Sequence, residues 1–580
     1  MPIRISGINS GLDTEALVSE LVSAYQKKTE NYTKEQTKVT WKQDAWKTLS
    51  SKTYSFRNNL DKMRFSTGYN LKTTSVSNSS KASITAGNNA VNGTQTLEIT
   101  ALAKTGYLTG GKVKSTDGTA VEDSTTLSEL GLEENGNISI NGKQIQMKGD
   151  MTVGEVISKL RDAGVSANFD TTNQRIFLSS TESGEAADFS LMALNENGRK
   201  ALSALGLNAK PADGDTTYEQ YVTQYGDMVD DDDALGNMLK NYDTAASDAD
   251  RLIANFAKEY QAAEDDATKT GILQELKEFI GYAKKVKDAK PEDMGYNSDA
   301  VRIKGQDAEI TLNGAKFTSK TNSFSINGLT INAMGLTEKG ETLSITTSTD
   351  NQGIYDKIKD FLSEYNSLIN SMTSSYNADS AKGYDPLTDD EKEAMSETEI
   401  QKWEDKGKSA VLRRDNTLST LISTMTNAMS KSYTINGKEY ALSSFGIKTL
   451  GILNSEKNEH NAYHIDGDAD DESTASNTDK LMEAIVSDPD GVTQFFQKLS
   501  SELYDNLSKN MSSTTLRSYG KFYNDKELEN EYNSYTKTIS DWEEKVSDIE
   551  ESYYKKFAAM ESALAELQSK TSQLSGLLGS

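Results

Sequence analysis

The stretch "YNSYTKTISDWEEKVSDIEESYYKKFAAMESALAELQSKTSQLSGLL" (residues 532–578) decides how this chain is organised. Mostly apolar and aromatic positions recur in it at steps of three and four: Tyr532, Tyr535, Ile539, Trp542, Val546, Ile549, Tyr553, Phe557, Met560, Leu564, Leu567, Thr571, Leu574 and Leu578. That is a heptad seam, and it predicts one amphipathic helix about 70 Å long at about 1.5 Å per residue. The two consecutive four-residue steps around Tyr553 read as a stutter, which locally unwinds a supercoil.

The opposite end of the chain has the same period. From Val18, the positions Leu21, Tyr25, Lys28, Tyr32, Glu35, Val39, Lys42, Trp46, Leu49, Thr53, Phe56, Leu60 and Met63 follow a seam whose middle is interrupted by Lys28, Glu35 and Lys42. Its start is sharply marked. Asp13 is a good N-cap, Leu12 and Leu17 have hydrophobic-staple spacing, and Glu15 suits the positive end of the helix dipole. The two end helices either meet each other in a coiled coil, pack against copies of themselves, or lie on a globular core. The polar seam positions argue against a self-sufficient dimer of the N-terminal helix, which wants partners and would be partly disordered without them.

Between the ends the period changes to two. Residues 73–105 alternate and are rich in Ser, Thr and Asn, as half-exposed strands are. An Asn-Gly pair flanked by strand formers recurs in "ISINGKQI" (138–145), "ITLNGAKF" (310–317), "FSINGLTI" (324–331) and "YTINGKEY" (433–440). Asn-Gly favours a two-residue type I′ hairpin, because both central residues need positive φ. "MTVGEVISKLRDAG" (151–164) reads as a short helix ended by Gly164, followed by a further hairpin in "VSANFDTTNQRIFLSS". Residues 211–298 carry 20 acidic and 9 basic side chains, a net of −11. Within them Ile272, Leu273, Leu276, Phe279, Ile280, Ala283 and Val286 mark a helical face, which reads as a helical insertion. Helices return at 354–372 and 410–430.

The expected class is therefore α+β and multidomain, with terminal coiled-coil legs, nested β-rich distal domains and one helical insertion. The expected parts are terminal helices at 1–65 plus 500–580, an inner helical and β leg domain at 66–72 plus 351–499, and a β-rich domain at 73–105 plus 299–350. A β-rich domain with a short helix follows at 106–210, and the acidic insertion at 211–298.

Bulk properties narrow the function classes. With 580 residues, 35% hydrophobic, and a mean hydropathy of −0.64, the chain reads as an extended molecule rich in surface. A formal charge of −26 argues against nucleic acid and anionic membrane as partners. The absence of cysteine excludes disulfides, thiolate metal sites and a Cys nucleophile. No apolar run approaches the roughly 20 residues of a bilayer span, and no secretory signal is evident at the start. A specialised exporter remains open as a route.

Motifs for chemistry are weak. His460 and His464 are the only histidines, with ligand-like spacing but in a loop-like segment without a third ligand. "DGDADDESTASN" (466–477) imitates a calcium loop at Asp466, Asp468 and Asp470, yet has Asp471 where glycine is needed and Asn477 where a bidentate Glu is needed. Asp230 to Asp233 read as a solvated turn. No phosphate-cradling glycine loop or nucleophile elbow occurs. The expectation is no enzyme, no metal and no cofactor.

The opening "ISGINSGLDTEALVSELV" (5–22) closely resembles the start of the bacterial flagellar filament cap family, hook-associated protein 2. "TGYNLKTTSVSNSSKASITA" (67–86) and "GTQTLEITALAKT" (93–105) resemble the family's first strands. Residues 138–180 are similar to a repeat of flagellar axial proteins. "GQDAEITLNGAKFTSKTNSFSINGLTINAMG" (305–335) with "YDKIKDFLSEYNSLI" (355–369) resembles the start of the family's C-terminal half. "DPDGVTQFF" (488–496) and "YYKKFAAMESALAELQSKTSQLSGLL" (553–578) resemble its end. Residues 211–298 resemble nothing in the family.

The resemblance implies a non-enzymatic homo-oligomeric ring at the distal tip of the filament, which guides flagellin into place and prevents its loss. It implies secretion through the flagellar type III export apparatus, with the leader "MPIRISGINSG" threaded and read. Implied partners are copies of the chain, flagellin, the hook-associated junction proteins and an export chaperone. The contact with copies or flagellin is expected on Leu17, Leu21, Tyr25, Trp46, Leu49, Phe56, Leu60, Ile539, Trp542, Val546 and Ile549. The chaperone is expected on Tyr553, Phe557, Met560, Leu564, Leu567 and Leu574. The interrupted seam suits contacts that form and release as subunits insert, and the outer β domains with the acidic insert suit a role in adhesion. Another axial protein, of the junction or flagellin type, and a surface adhesin are the alternatives.

Overall fold

A computed structural model describes residues 10–246 and 249–578. The chain divides into two compact units. One is built from both ends of the sequence, residues 1–71 with 350–580, and the other from the continuous segment Lys72–Thr349. The expected reading of the leader falls largely on residues 1–9, outside the described residues.

Helix α1 (Thr14–Met63) opens the first unit. Asp13 caps it as expected, accepting the Ala16 N–H at 3.0 Å, with Glu15 in the first turn. The staple partners Leu12 and Leu17 are both exposed.

The second unit begins with strands β1 (Lys72–Val76), β2 (Ala82–Ala86), β3 (Gly93–Ala101), β4 (Thr105–Lys112), β5 (Gly136–Ile140) and β6 (Lys143–Met147). Helix α2 (Val153–Asp162) follows, then β7 (Val165–Asp170), β8 (Arg175–Ser183) and β9 (Leu191–Ala193). Helices α3 (Glu196–Ala204), α4 (Tyr218–Tyr225), α5 (Asp232–Asn241), α6 (Arg251–Ala262) and α7 (Asp266–Val286) precede β10 (Val301–Ile303). The unit closes with β11 (Ala308–Leu312), β12 (Ala315–Ser319), β13 (Ser323–Ile326), β14 (Leu329–Ala333) and β15 (Leu343–Thr349).

These strands form four antiparallel sheets with the orders β1-β15-β3-β11-β12, β13-β14-β2, β10-β4-β8-β7 and β6-β5-β9. The alternating pattern has its expected result. Leu97, Ile99, Ile310 and Ile345 of the first sheet meet Ala82, Phe324 and Ile331 of the second in one core. The short helix α2 is where the sequence places it, started by a Thr152–Glu155 capping box and followed by Gly164 at φ +91°. The acidic insertion is helical as expected, and it has its own core, with Phe256, Leu276, Phe279 and Ile280 sealed from solvent. The four Asp residues at 230–233 serve structure: Asp231 caps α5 and Asp232 pairs with Lys277.

The first unit resumes at α8 (Asn351–Tyr376), α9 (Asp389–Glu393), α10 (Glu397–Ser409) and α11 (Asn416–Met429). A small hairpin, β16 (Tyr433–Ile435) and β17 (Lys438–Tyr440), and the pair β18 (Ile447–Lys448) and β19 (His464–Ile465) come next. Then follow α12 (Lys480–Ser487), α13 (Pro489–Asn510) and α14 (Asp525–Leu578). The boundary expected at residue 500 falls inside α13, which runs unbroken to Asn510.

All four Asn-Gly turns are present, with φ of +46° to +51° at Asn141, Asn313, Asn327 and Asn436 and positive φ at each following glycine. In each case the first and second strands pair directly across the two residues, as a type I′ turn demands.

Candidate assembly interface

The long-period seams at the two ends find each other within one chain. Trp46 stacks on Tyr523 at 5.4 Å, Gln36 donates to Thr536 Oγ1 at 2.6 Å, and Tyr32 meets Tyr535 at 6.5 Å. Lys28 Nζ lies 4.8 Å from the Trp542 ring, and the Ser10 N–H donates to the buried Glu561 carboxylate at 3.2 Å. As one partner's number falls the other's rises, so α1 and α14 run antiparallel. Two of the three readings of the end helices apply to α1, each to one half of the helix. Its second half lies on a globular core, and its first half is paired with α14.

The expected contact residues therefore separate. Trp46, Leu49, Phe56 and Leu60 are 1–6% exposed, buried with α8 and α13 residues such as Phe361 and Phe496. Those four serve the chain's own core, because a seam facing inward has no surface left for a neighbour. At the N-terminal end the buried positions are Thr14, Val18 and Val22. Leu17 and Leu21 sit one position away, 40% and 44% exposed, and Tyr25 is half-buried. The reason is a change of partner. Once α1 leaves the core, its buried stripe turns to follow α14 in four-residue steps, and the leucines stand off that stripe.

On α14, Tyr535, Ile539, Trp542, Val546 and Ile549 are half-buried, as are Tyr553, Phe557, Met560 and Leu564. Leu567 and Leu574 are 60% and 57% exposed, and Tyr532 is 37% exposed. The helix continues past the level of Ser10 and Glu561 through Leu578.

The polar interruptions of the seam have specific partners. Lys28 is accounted for by the Trp542 ring. Glu35 pairs with Lys38 at 2.7 Å, and Lys42 with Asp415 at 3.3 Å. Lys34, Lys38 and Lys42, one helical turn apart, each meet an acid of the 385–415 segment: Glu391 at 2.7 Å, Asp385 at 2.8 Å and Asp415. Burial draws the Lys38 pKa down, but its two carboxylate partners, Asp385 and Glu35, outweigh that and hold it above the ordinary value. The Lys34 ammonium and the Thr388 N–H hold Glu391 below the ordinary carboxylate range. Under this row the Trp41 ring seats on Gly407, where an added Cβ would lie 2.7 Å from a ring carbon. The middle of α1 is polar because a clamp of opposite charge covers it.

The motifs singled out for chemistry are engaged in structure. His464 Nδ1 is 2.6 Å from Asp471, and His460 Nδ1 is 2.6 Å from Ser455 Oγ. In the acidic loop at 466–477, Lys359 donates to both Asp468 and Asp470 at 2.6 Å. An ammonium thus takes the place a cation would fill. In the second unit a cavity of about 960 Å³ is lined by Arg302, Asp188, Asp215, Tyr218 and Tyr296 among others. Its central charges pair with one another: Arg302 lies 2.7 Å from Asp188 and 3.4 Å from Asp215. Among the described residues no helix is long and apolar enough to cross a membrane.

Sequence reading missed α9, α10, α12 and α13. Three of these carry a legible start signal. Thr388 with Glu391 and Ser396 with Glu399 are both capping boxes, spelled out in "LTDDEKEAMSETEIQKW" (387–403). Asp488 before Pro489 marks the start of α13 in the same way.

Comparison with known proteins bears directly on this helix pair. The family described as flagellar hook-associated protein 2, N-terminus, matches residues 10–106, and that described as flagellar hook-associated protein 2, C-terminus, matches residues 305–569. Flagellar hook-associated protein 2 of Halalkalibacterium halodurans is 21% identical over 99% of both chains. That of Thermotoga maritima is 23% identical over 99% of this chain and 96% of its own. Among solved structures, the D1-D2-D3 domains of the flagellar cap protein FliD from Escherichia coli align at 15% identity, over 85% of this chain and 99% of that one, with a TM-score of 0.43.

Proposed function

The chain belongs to the flagellar hook-associated protein 2 family of bacterial filament caps, and from that premise we propose that it forms a homo-oligomeric ring which guides exported flagellin into the filament tip. The observation that carries this reading is that the two family matches take in α1 and nearly all of α14, the helices that form the paired leg. Within that leg, the exposed Leu17 and Leu21, with Tyr25, are the contact offered to a neighbouring copy or to flagellin. The half-buried Ile539, Trp542, Val546 and Ile549 position it from behind. Residues of α14 from Tyr553 through Phe557, Met560, Leu564, Leu567 and Leu574 are the contact for an export chaperone. Junction proteins and the type III export apparatus complete the partner list, and the working location is the distal end of a secreted filament.

The physical logic is reversibility. A cap must hold flagellin and then let go, so its contact should be modest. Two half-exposed leucines beside a leg already satisfied by its own α14 provide such a contact, whereas a fully apolar free seam would lock. The test is deletion of the gene in its own organism. The expected result is flagellin shed as monomer into the medium, bare hooks, and filaments restored on adding the protein back. Normal filaments after deletion would overturn the reading.

A second role, adhesion, is favoured by one observation. Residues 107–304, which include the acidic helical insertion with its own core, lie outside both family matches. A variant lacking the insertion that stays motile but binds surfaces less would support it; unchanged binding would dismiss it.

A further inference from the structure

The four hairpin Asn-Gly turns differ in how they are tied down, and from it we propose that, among these four, Asn436–Gly437 is a site of self-modification, converting to aspartate and isoaspartate while the other three stay intact. The chain's remaining Asn-Gly pairs, at Asn92, Asn135 and Asn197, lie outside these hairpins. In such a step the Gly437 backbone N–H gives its proton to a base, and the nitrogen attacks Asn436 Cγ. The new N–Cγ bond forms as Cγ–Nδ2 breaks, and the amide leaves as ammonia. Water then opens the succinimide at either carbonyl, giving aspartate or its β-linked isomer. Nothing is oxidised or reduced.

The glycine nitrogen cannot reach Cγ while the turn is closed in its positive-φ geometry, so each site reacts only as often as its hairpin opens. Three turns are tied shut. Asn141 donates its side chain to the Ala163 carbonyl at 3.2 Å and accepts from Arg251 at 3.1 Å. Asn313 is locked to Thr96 twice, its N–H donating to the Thr96 carbonyl and its Oδ1 accepting the Thr96 N–H, both at 2.9 Å. At the third, the Gly328 carbonyl accepts the Gly87 N–H at 2.7 Å, and the Ala90 backbone crowds the glycine face.

Asn436–Gly437 has none of these ties. Both residues are exposed, and no atom lies within 4 Å of a Cβ built on Gly437. Its hairpin is also the smallest of the four, held to the core of the first unit by Ile435 and Tyr440. The strands β16 and β17 have three residues each and join no third strand, whereas the other three hairpins belong to sheets of three or five strands. A lone two-stranded hairpin is marginal by itself.

The test is peptide mapping by mass spectrometry of the full chain held in mildly alkaline buffer, native and in urea. In urea the four hairpin sites should convert at similar rates, because each is followed by glycine. In the native chain Asn436 should convert ahead of the other three by about tenfold or more, the ratio set by the easier opening of its hairpin. Either of two results overturns the proposal: another of the four hairpin sites converting as fast in the native chain, or Asn436 lagging there as far behind its urea rate as the other three.

Discussion

Adjacent positions on α1 should respond to the same chemical insult in opposite ways. Val22 is 1% exposed against α14, while Leu21 is 44% exposed. Val22→Asn removes a fully buried apolar side chain, about 1.5–3 kcal/mol, and places an amide with no partner in its site, about 1–3 kcal/mol more. The sum is about 4 kcal/mol, or nearly three decades in the opening equilibrium of the pair at about 1.4 kcal/mol per decade. Leu21→Gln loses only the covered half of a leucine, about 1 kcal/mol, and its amide reaches water. Hydrogen exchange read by mass spectrometry should show Val22→Asn stripping protection from α1 up to Val39, where the helix enters the core, and from the facing part of α14. The Leu21→Gln chain should keep that protection and lose oligomer in sedimentation runs, with weaker filament growth. If Leu21→Gln opens the pair as far as Val22→Asn, or leaves assembly unchanged, the division of α1 into an inner and an outer face is wrong.

Three further outcomes follow from the same geometry. Gly407→Ala should destabilise the first unit by about 1–3 kcal/mol through overpacking against Trp41 and the Tyr384 carbonyl in urea unfolding, and pairing it with Trp41→Leu should recover only the part due to the ring. Arg302→Met strands the buried Asp188 carboxylate, so unfolding of the second unit should show a loss of about 3–5 kcal/mol, and the double change with Asp188→Ala should lose less than the single one. Folding lowers the Glu391 pKa, so its contribution is full above the ordinary glutamate value of about 4.3 and fades as pH falls through its lowered folded value. Exchange protection of α9 and α10 should therefore weaken over that acid range, and Lys34→Met should flatten the dependence.

What the sequence discloses depends on how local the cause is. The Asn-Gly hairpins and the capped helix α2 are set by neighbouring residues, and each formed where the pattern placed it. The two end helices were legible from period alone. The phase of α1 between Val18 and Val39 was not, because burial of Val22 in place of Leu21 is chosen by the geometry of α14, hundreds of residues away in the chain. Likewise Lys28, Glu35 and Lys42 look like flaws in a seam until their partners, among them Trp542 and Asp415, are in place. Helices α9 and α10 are short and poor in apolar residues, so periodicity passes over them, although their capping boxes are written in the sequence. Of the contact residues, Trp46, Leu49, Phe56 and Leu60 share the period of the exposed leucines, and only burial tells the two groups apart.

The antiparallel match of α1 with α14 acts as a ruler that fixes where each end of the chain must lie. One residue added within either helix turns everything beyond it by about 100° and unmatches the rows that remain. In the sequence, the whole of Lys72–Thr349 lies between the two paired helices. Whole elements in that interval, the acidic helical insertion included, are free to lengthen, shrink or be exchanged while the pairing of the ends keeps its register. Selection on the second unit and selection on the paired helices thus act on separate stretches of one gene.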